Sequence, residues 1–263
     1  MLTNDTSKLD ARRERILELL NQTGKVRVQT LSKKLGASEV TIRNDLSILE
    51  KNGYLERVPG GAVQTMKNYY NMNLQQRRNE NVAAKQAIAS MTSTLINDGD
   101  TLFLNSGTTT YFTALDLKRF KNLKIVTNSI SVAMELADVP THHVILLGGM
   151  VNPRYSFTHG VDVLNELRRY KADKAILSVD GVCSLGVTTY HSEEAEVSKM
   201  MLERARVGII VADHTKIGRE SFLLISELTA GHYLVTNQCE ASELISEIRE
   251  MGITVLMDET PLT

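Results

Sequence analysis

Residues that could bind an anion are concentrated in one short stretch, DTLFLNSGTTTYF, which runs from residue 100 to residue 112. An apolar segment is followed there by a small polar loop and by the expected start of a helix. Backbone N–H groups at a helix start favour an anion, and glycine lets the backbone approach it closely. We therefore predict a phosphate-binding loop formed by Asn105, Ser106, Gly107, Thr108, Thr109 and Thr110. The chain has no GxxxxGKS or GxxxxGKT pattern, which argues against a nucleotide-binding P-loop.

Polar residues also follow other apolar segments, and they could complete a ligand site. These candidates are Asn128, Gly148, Gly149, Asp180 and Lys216. In parallel α/β sheets, ligands bind beyond the carboxyl ends of the strands, where we expect these residues. Lys216 would add a cation. Asp180 could accept hydrogen bonds from sugar hydroxyls, together with Glu193 or Glu194. A ligand with a phosphate at one end and hydroxyls at the other would be a phosphorylated sugar. The alternative is a set of plain turns, in which Gly, Ser, Asn and Asp are also common.

A second candidate surface lies in the segment SEVTIRNDLSIL, residues 38–49. Ile42, Leu46 and Leu49 recur at helical spacing and should face a core. The opposite face carries an arginine that can bind guanine, an asparagine that can bind adenine and a valine that can touch a thymine methyl. Hydroxyls at the helix start could hold phosphates. The predicted DNA-binding residues on this helix are Ser38, Val40, Thr41, Arg43, Asn44 and Ser47, with Glu39 at the flank.

Three short helices and a hairpin would position that surface. The apolar stripes of the first two helices are Ile16, Leu17 and Leu20, and then Val28, Leu31 and Leu35. Gly24 separates them, and the short turn LGAS contains Gly36, as a helix-turn-helix requires. The segment YLERVPGGAV predicts a wing-like hairpin, with Arg57 placed to approach a phosphate or the minor groove. The alternative is a small helical module that binds protein.

The rest of the chain alternates between strand-like and helix-like runs. We expect strands in TLFLN, KIVTN, HVILLGG, KAILSVDG, VGIIVADH, HYLVTN and TVLMD, and helices in VAAKQAIASMTSTLI, SVAMELA, VDVLNELRRY and EEAEVSKMMLERA. This alternation predicts an α/β fold with a mainly parallel sheet. The predicted domains are a DNA-binding domain, a polar linker, and a sensing and oligomerisation domain, at residues 1–64, 65–80 and 81–263. Arg77, Asn81 and Lys85 share one helix face, which we interpret as solvated, although Lys85 could reach the interior.

Charge differs between the two parts of the chain, although its net charge is −1. Residues 1–85 carry 15 Lys and Arg against 9 Asp and Glu, whereas residues 86–263 carry 15 against 22. A basic front and an acidic remainder suggest different partners.

No apolar run approaches the ~18 residues of a membrane span, and the N-terminus lacks a signal-peptide core. Cys183 and Cys239 form no CxxC pair, so we expect a reduced, cytoplasmic protein. The 6 histidines show no metal-ligand spacing, so we expect neither a metal nor a cofactor.

Specific motifs resemble those of the DeoR-type bacterial regulators of sugar metabolism. Arg12, Ile16 and Leu20, followed by SEVTIRNDL, resemble the winged helix-turn-helix signature of that family, and GYLERVPGGA resembles its wing. LFLNSGTTT, VTNS, ILLGG, SVDGV, EEAEVSKMM and VADHTKIG resemble its sugar-phosphate sensor domain, which is related in fold to ribose-5-phosphate isomerase. The family commonly has Asp where this chain has Asn105. An amide there would repel an anion less and bind a ligand cation more weakly.

The relation to isomerases raises an enzymatic alternative. The enzymes have further acids after the Asp-Gly pair and a Lys-Gly-rich loop; this chain keeps Asp180 and Gly181 but has Cys183 and Ser184 at the acid positions and lacks the loop. Cys183 is better interpreted as a structural thiol, whereas His159 or His191 could contact a sugar hydroxyl.

We therefore expect a DNA-binding transcriptional regulator rather than an enzyme. It would repress a carbohydrate-utilisation operon, with its affinity for double-stranded operator DNA controlled by a phosphorylated sugar. Because one recognition helix gives little specificity, we expect a homodimer or higher homo-oligomer. The alternatives are an active phosphosugar isomerase with a DNA-binding appendage and a plain architectural DNA binder.

Overall fold

The computed structural model describes residues 3–23, 25–52, 54–64, 72–239 and 241–258 of the 263-residue chain. The chain divides into two compact units, Met1–Asn81 and Val82–Thr263. Gly24 and the first part of the predicted linker, residues 65–71, lie outside the described residues. The remaining part of that linker contains a short helix with a capping box formed by Asn73 and Gln76.

The described residues of the N-terminal unit form three helices and a small antiparallel sheet before that short helix. Its elements are α1 (Thr3–Thr23), β1 (Lys25–Arg27), α2 (Val28–Leu35), α3 (Glu39–Lys51), β2 (Leu55–Val58), β3 (Gly61–Gln64) and α4 (Leu74–Arg78). The strand order is β1-β3-β2, so the predicted wing hairpin, β2 and β3, is joined by one more strand. The sequence analysis did not predict β1, because three residues are too few to show a strand periodicity.

The apolar stripes predicted from helical spacing form the core of this unit. Its buried members are Ile16, Leu20, Val28, Leu31, Ile42, Leu46, Leu49, Leu55 and Ala62, with Leu17 and Leu35 partly buried around them. The turn between α2 and α3 depends on Gly36, which ends α2 with φ of 63° and donates its N–H to Ser32 O. A residue with a Cβ is strained in that left-handed conformation, so glycine fixes the entry into α3.

A buried carboxylate ties α1 to α3. Asp45 is 1% exposed, and it accepts hydrogen bonds from Arg12 Nε at 2.5 Å and Arg13 Nε at 3.2 Å. The hydrogen bond to Asp45 raises the pKa of Arg12 above its usual value. The sequence analysis assigned no role to Asp45, since hydrophobic periodicity identifies apolar core positions but not a buried ion pair among them.

The second unit is an α/β domain built on a parallel sheet. The sheet strands are β4 (Thr101–Leu104), β5 (Lys124–Thr127), β6 (His143–Leu146), β9 (Ala172–Ser178), β12 (Ala205–Val211), β14 (Tyr233–Asn237) and β15 (Thr254–Asp258). The helices are α5 (Val82–Ser93), α6 (Thr108–Leu117), α7 (Ile130–Ala137), α8 (Val161–Leu167), α9 (Ser192–Arg204) and α10 (Ser242–Glu250). The seven strands are those predicted from the sequence, in the order β15-β14-β12-β9-β4-β5-β6, and every pairing is parallel. The predicted α/β class is therefore confirmed.

Helices cover both faces of this sheet, because alternate residues of each strand point to opposite sides. On β4, Leu102 and Leu104 pack into the cluster that contains α5, α6 and α7, whereas Phe103 packs into the cluster that contains α8, α9 and α10. Ile209 and Ile210 of β12 divide in the same way. Strands buried on both faces explain why these runs are almost continuously apolar in the sequence.

Smaller strands surround the carboxyl edge of the main sheet. They are β7 (Met150–Asn152), β8 (Phe157–His159), β10 (Gly181–Cys183), β11 (Gly186–Thr189) and β13 (Leu223–Ser226). β7 pairs with β8, and β10, β11 and β13 form an antiparallel sheet. The predicted strands HVILLGG, KAILSVDG and VGIIVADH were too long, because their last residues belong to loops or to these short strands. The described residues contain no helix that combines the length and apolar character of a membrane span.

Candidate functional site

The exposed face of α3 carries the predicted DNA-binding residues. Val40 is 68% exposed, and Arg43 and Asn44 are also exposed, whereas Thr41 and Ser47 are half-buried. Ser38 caps the helix, since its Oγ accepts from Thr41 N at 3.1 Å. The Ser38 and Thr41 hydroxyls are also 2.8 Å apart. The helix start therefore presents hydroxyls, and the following turn presents an apolar group, a guanidinium and an amide on one surface.

The wing is bonded to this helix through Arg57. Arg57 Nη1 donates to Ser47 Oγ at 2.7 Å, and Arg57 N donates to Glu50 Oε1 at 2.9 Å. The structure thus brings the predicted wing cation beside the predicted contact face. Arg43 forms an ion pair with another residue of the same helix, since its Nη2 lies 2.6 Å from Glu39 Oε2.

The second candidate site lies at the carboxyl edge of the parallel sheet. The predicted loops follow β12, β9, β4, β5 and β6, which are consecutive strands in the sheet. Neighbouring strands are about 4.8 Å apart, so the ends of parallel strands form one row. The structure therefore brings the predicted effector residues of all five loops to one edge.

The loop after β4 enters α6 with its backbone N–H groups uncapped. Gly107 is the N-cap residue, and no side chain in the described part of the chain caps the helix there. Thr108, Thr109 and Thr110 are buried. A Cβ at position 107 would lie 2.7 Å from Ser178 Oγ and closer still to Ser178 Cβ, so only glycine fits against β9. The first N–H groups of a helix have no carbonyl partner within it, and the arrangement therefore suits an anion.

Asn105 binds the protein with its whole side-chain amide. Its Nδ2 donates to Ser178 O at 2.8 Å and to Ser198 Oγ at 3.0 Å. Its Oδ1 accepts from Ser178 N at 2.9 Å and from Thr110 Oγ1 at 3.0 Å. An amide offers two donors and two acceptor positions, so these bonds use all of them. Asn105 thus holds the loop after β4 against β9 and α9, and its predicted contact with an effector stays a prediction.

Buried charges follow β12. Asp213, Lys216 and Lys85 of α5 are 2%, 6% and 3% exposed. Burial alone would raise the pKa of Asp213, but the charges of Lys216 and Lys85, a hydrogen bond from Thr215 and the charge of His214 together outweigh it and lower the pKa to about 2. Two buried lysines thus act on one buried carboxylate at this part of the edge. The prediction that Arg77 and Lys85 lie on a solvated helix face was wrong, because both residues are buried.

Two carboxylates, those of Asp180 and Glu194, bind the same hydroxyl beyond β9. Asp180 Oδ2 accepts from Thr189 Oγ1 at 3.0 Å and from Tyr190 N at 3.1 Å, and Glu194 Oε2 lies 3.4 Å from the same Thr189 hydroxyl. Glu194 is therefore the acid that joins Asp180. Glu193 is exposed, and a hydrogen bond from its own N–H lowers its pKa, with smaller contributions from Ser192 and from the charges of His159 and His191.

The predicted residues that follow β5 and β6 make contacts within the protein, and these contacts account in part for the residue types found there. Asn128 is buried, and its Nδ2 donates to Thr158 O at 3.1 Å. Gly148 N donates to Glu166 Oε2 at 2.8 Å. A Cβ at Gly149 would lie 2.6 Å from Val163 Cγ2, so that glycine allows α8 to pack closely. The two glycines are therefore bonded or packed against α8.

Tyr155 is a site residue that the sequence analysis missed. Its carbonyl accepts from Ser106 Oγ at 3.4 Å, and its ring centre lies 4.7 Å from that of His191. The turn that carries it is fixed by Asn152 Oδ1, which accepts from the N–H groups of Arg154 and Tyr155. The Asn-Pro pair in NPRYS signals a turn, but nothing local shows that the turn reaches the loop after β4.

Family comparisons match both units of the chain. Residues 12–67 match the DeoR-like helix-turn-helix domain, and residues 80–238 match the DeoR C terminal sensor domain.

Similar proteins extend over nearly the whole chain. The HTH-type transcriptional regulator GolR of Listeria innocua is 31% identical over 94% of this chain and 98% of its own length. The HTH-type transcriptional repressor GlcR of Bacillus subtilis is 30% identical over 93% of this chain and 94% of its own. Among solved structures, ribose 5-phosphate isomerase A from Methanocaldococcus jannaschii aligns with a TM-score of 0.39 and 15% identity, over 52% of this chain and 55% of that chain. For eIF2B beta from Chaetomium thermophilum the TM-score is 0.41 with 16% identity, over 54% of this chain and 41% of that chain.

Proposed function

The chain belongs to the DeoR family of transcriptional regulators, and from that membership we propose that it represses a carbohydrate-utilisation operon and is released from operator DNA by a phosphorylated sugar. The N-terminal unit would bind the operator, and the carboxyl edge of the parallel sheet would bind the effector. The observation that carries the effector proposal is the buried and uncapped N-terminus of α6 at that edge.

Surface chemistry supports the DNA contact. α3 would enter the major groove, where Arg43 and Asn44 can bind base edges and Val40 can touch a thymine methyl. Ser38 and Thr41 would hold phosphates at the helix start, and Arg57 would contact the backbone or minor groove from the wing. Residues 1–85 carry 15 basic against 9 acidic side chains, which favours a polyanion.

Two neighbouring charge environments support a phosphorylated sugar. The N–H groups of Ser106 to Thr110 would receive the phosphate, and the charges of the buried Lys85 and Lys216 would favour it. Asp180 and Glu194 would accept hydrogen bonds from sugar hydroxyls. Asn128, Gly148, Gly149 and Glu193 stay candidates for further effector contacts.

We propose a regulatory rather than an enzymatic role for this second unit. The position after Asp180 and Gly181 that the related enzymes fill with acids holds Cys183, whose thiol donates to Gly186 O at 3.6 Å. The competing hypothesis is a phosphosugar isomerase. Turnover of pentose phosphates by the purified chain would support that hypothesis and overturn ours.

Linkage between the sites would produce regulation. A homodimer or higher homo-oligomer would present paired recognition helices to operator half-sites. An effector that binds more tightly to an arrangement with mismatched helix spacing lowers DNA affinity by the ratio of its affinities for the two arrangements.

The proposal is tested by a thermal-shift screen of the full chain against phosphorylated sugars, with their unphosphorylated parents as controls. A ligand at 100 times its Kd should stabilise the chain by about 2.7 kcal/mol. Lys216→Gln should lose this stabilisation, whereas Lys171→Gln, which changes an exposed lysine of the same unit, should keep it. Position 107 is a poorer target, because any side chain there collides with Ser178. Equal responses of the wild type and Lys216→Gln would contradict the assigned site.

A further inference from the structure

An acidic side chain stands within the surface that we assign to DNA. Glu39 is the first residue of α3, and its carboxylate lies 2.6 Å from Nη2 of Arg43, one helical turn later. The two side chains are 39% and 52% exposed. A carboxylate at this position would repel the phosphates of any DNA that α3 approaches.

Folding gains little from this ion pair. Exposed pairs four residues apart on a helix contribute only weakly to stability, because solvent screens them and both side chains lose freedom. Glu39 also lies in the first turn of α3, where a negative charge favours the helix dipole. A purely structural role is therefore the alternative that a test must separate from a role in DNA recognition.

The pair restricts what Arg43 can do. A guanidinium carries five N–H donors in a rigid plane, and the contact with Glu39 occupies one edge of it. The remaining donors still suit the O6 and N7 atoms of guanine. An arginine held in this way loses less freedom when it binds a base, and it is less able to turn towards a phosphate.

We propose that Glu39 is a specificity-determining residue that acts through Arg43. It holds the guanidinium for base recognition, keeps it away from the phosphates, and so weakens binding to non-operator DNA. Specificity is a difference between two affinities, and a repulsive group that acts mainly on the wrong partner increases it. This inference rests on the proposed placement of α3 in the major groove.

The test compares two duplexes bound by the full chain. One is the sequence that the wild type selects from a random pool, and the other is a scrambled duplex of the same length and composition. Glu39→Gln should lower the ratio of scrambled to selected Kd by about five-fold or more. On the scrambled duplex, the plot of log affinity against log salt concentration should steepen by about 0.9, which corresponds to one additional phosphate contact.

Glu18→Gln is the matched control for charge. Glu18 forms an exposed ion pair with Arg15 on α1, so this change also removes one negative charge from a pair in the same unit. It should leave the Kd ratio within about two-fold of the wild type. An equal effect of the two variants would reduce the role of Glu39 to net charge and overturn the proposal.

The Arg43→Ala background tests whether Glu39 acts through Arg43. In that background, adding Glu39→Gln should leave the Kd ratio unchanged, because direct repulsion of phosphates by Glu39 acts on both duplexes alike. A similar change with and without Arg43 would overturn the proposal, as would an unchanged ratio in the single variant, provided that circular dichroism shows the folded helix content. If Arg43→Ala itself bound the selected duplex like the wild type, the groove placement would fail instead.

Discussion

Asn105 holds the loop after β4 through its side-chain amide. The amide joins Thr110 at the first turn of α6 to Ser178 of β9 and Ser198 of α9. The N–H groups that we propose for phosphate binding are backbone atoms, so their positions depend on what fixes this loop. These contacts give Asn105 a supporting role in the loop, beside its predicted role in effector choice.

Asn105→Ala should destabilise the second unit by about 2 to 4 kcal/mol, because Ser178 and the buried Ser198 and Thr110 lose the amide that binds their donors and acceptors. Chemical unfolding of the full chain measures this change. Asn165→Ala, at an exposed asparagine of α8, is the control and should change stability by no more than about 0.5 kcal/mol. A loss as small as the control's would show that the amide network does not hold the loop.

Asp213 gives the second unit a dependence on acidic pH. Its pKa is about 2 in the folded chain, against an ordinary value of 3.8 for an aspartate exposed to water, so folding favours the ionised form. The contribution is fully present above pH 3.8 and is lost as pH falls towards 2, and the full shift corresponds to about 2 kcal/mol. Asp213→Asn should therefore flatten the fall in unfolding free energy between pH 4 and pH 2. Parallel pH profiles of the variant and the wild type would contradict this assignment.

At the level of elements, the position of α3 depends on contacts from three directions. Leucine and isoleucine side chains pack it against α1 and α2, Asp45 binds Arg12 and Arg13 of α1, and Arg57 connects it to the wing. DNA recognition requires a helix held at a fixed angle, and these three sets of contacts would fix that angle. The buried carboxylate is the most sensitive of them, because its removal takes away the negative charge that Arg12 binds.

Asp45→Asn should destabilise the N-terminal unit by about 3 kcal/mol and leave the second unit unchanged. Hydrogen exchange measured by mass spectrometry separates the two effects, since exchange should accelerate in peptides from α1 and α3 but not in peptides from β4 or β9. Glu18→Gln, which breaks only the exposed pair on α1, should leave exchange unchanged. If α1 and α3 of Asp45→Asn exchanged hydrogen as slowly as in the wild type, the apolar contacts alone would be enough to hold α3.

At the level of the whole molecule, the proposed regulation requires that the two units influence each other. In that proposal effector and operator bind at different units, so any effect of one on the other is a coupling free energy and must be reciprocal. The symmetry of the proposed oligomer would convert a change in the second unit into a change in helix spacing.

Reciprocity gives a quantitative prediction. If the effector lowers operator affinity by a certain factor, saturating operator should lower effector affinity by the same factor, which is typically about 5- to 150-fold. Calorimetric titration of the effector with and without operator measures it. Arg43→Ala, which should not bind operator, should bind effector equally well in both conditions. Effector affinity that does not respond to operator in the wild type would refute the linkage.

Local sequence patterns were enough to predict the order and type of the main elements. The seven parallel strands, the three helices of the N-terminal unit and its wing follow from apolar periods, glycine positions and polar strand ends, all of which are local. Placing the candidate loops at one edge also follows, because parallel strands end on the same side. These features were predictable, since hydrophobic burial leaves a repeating signal along the chain.

Contacts between distant polar groups became visible only in the folded chain. Asp45 with Arg12, Asn105 with Ser198, and Lys85 with Asp213 are far apart in sequence, and each of these residues resembles an ordinary solvent-exposed polar residue until the chain folds. The hydrogen bond between Thr189 and Glu194 and the contact of Tyr155 with the loop after β4 became visible in the same way. The physical reason is that apolar packing depends on a periodic pattern, whereas a hydrogen bond depends on the positions of individual atoms, and those are fixed only when the elements pack.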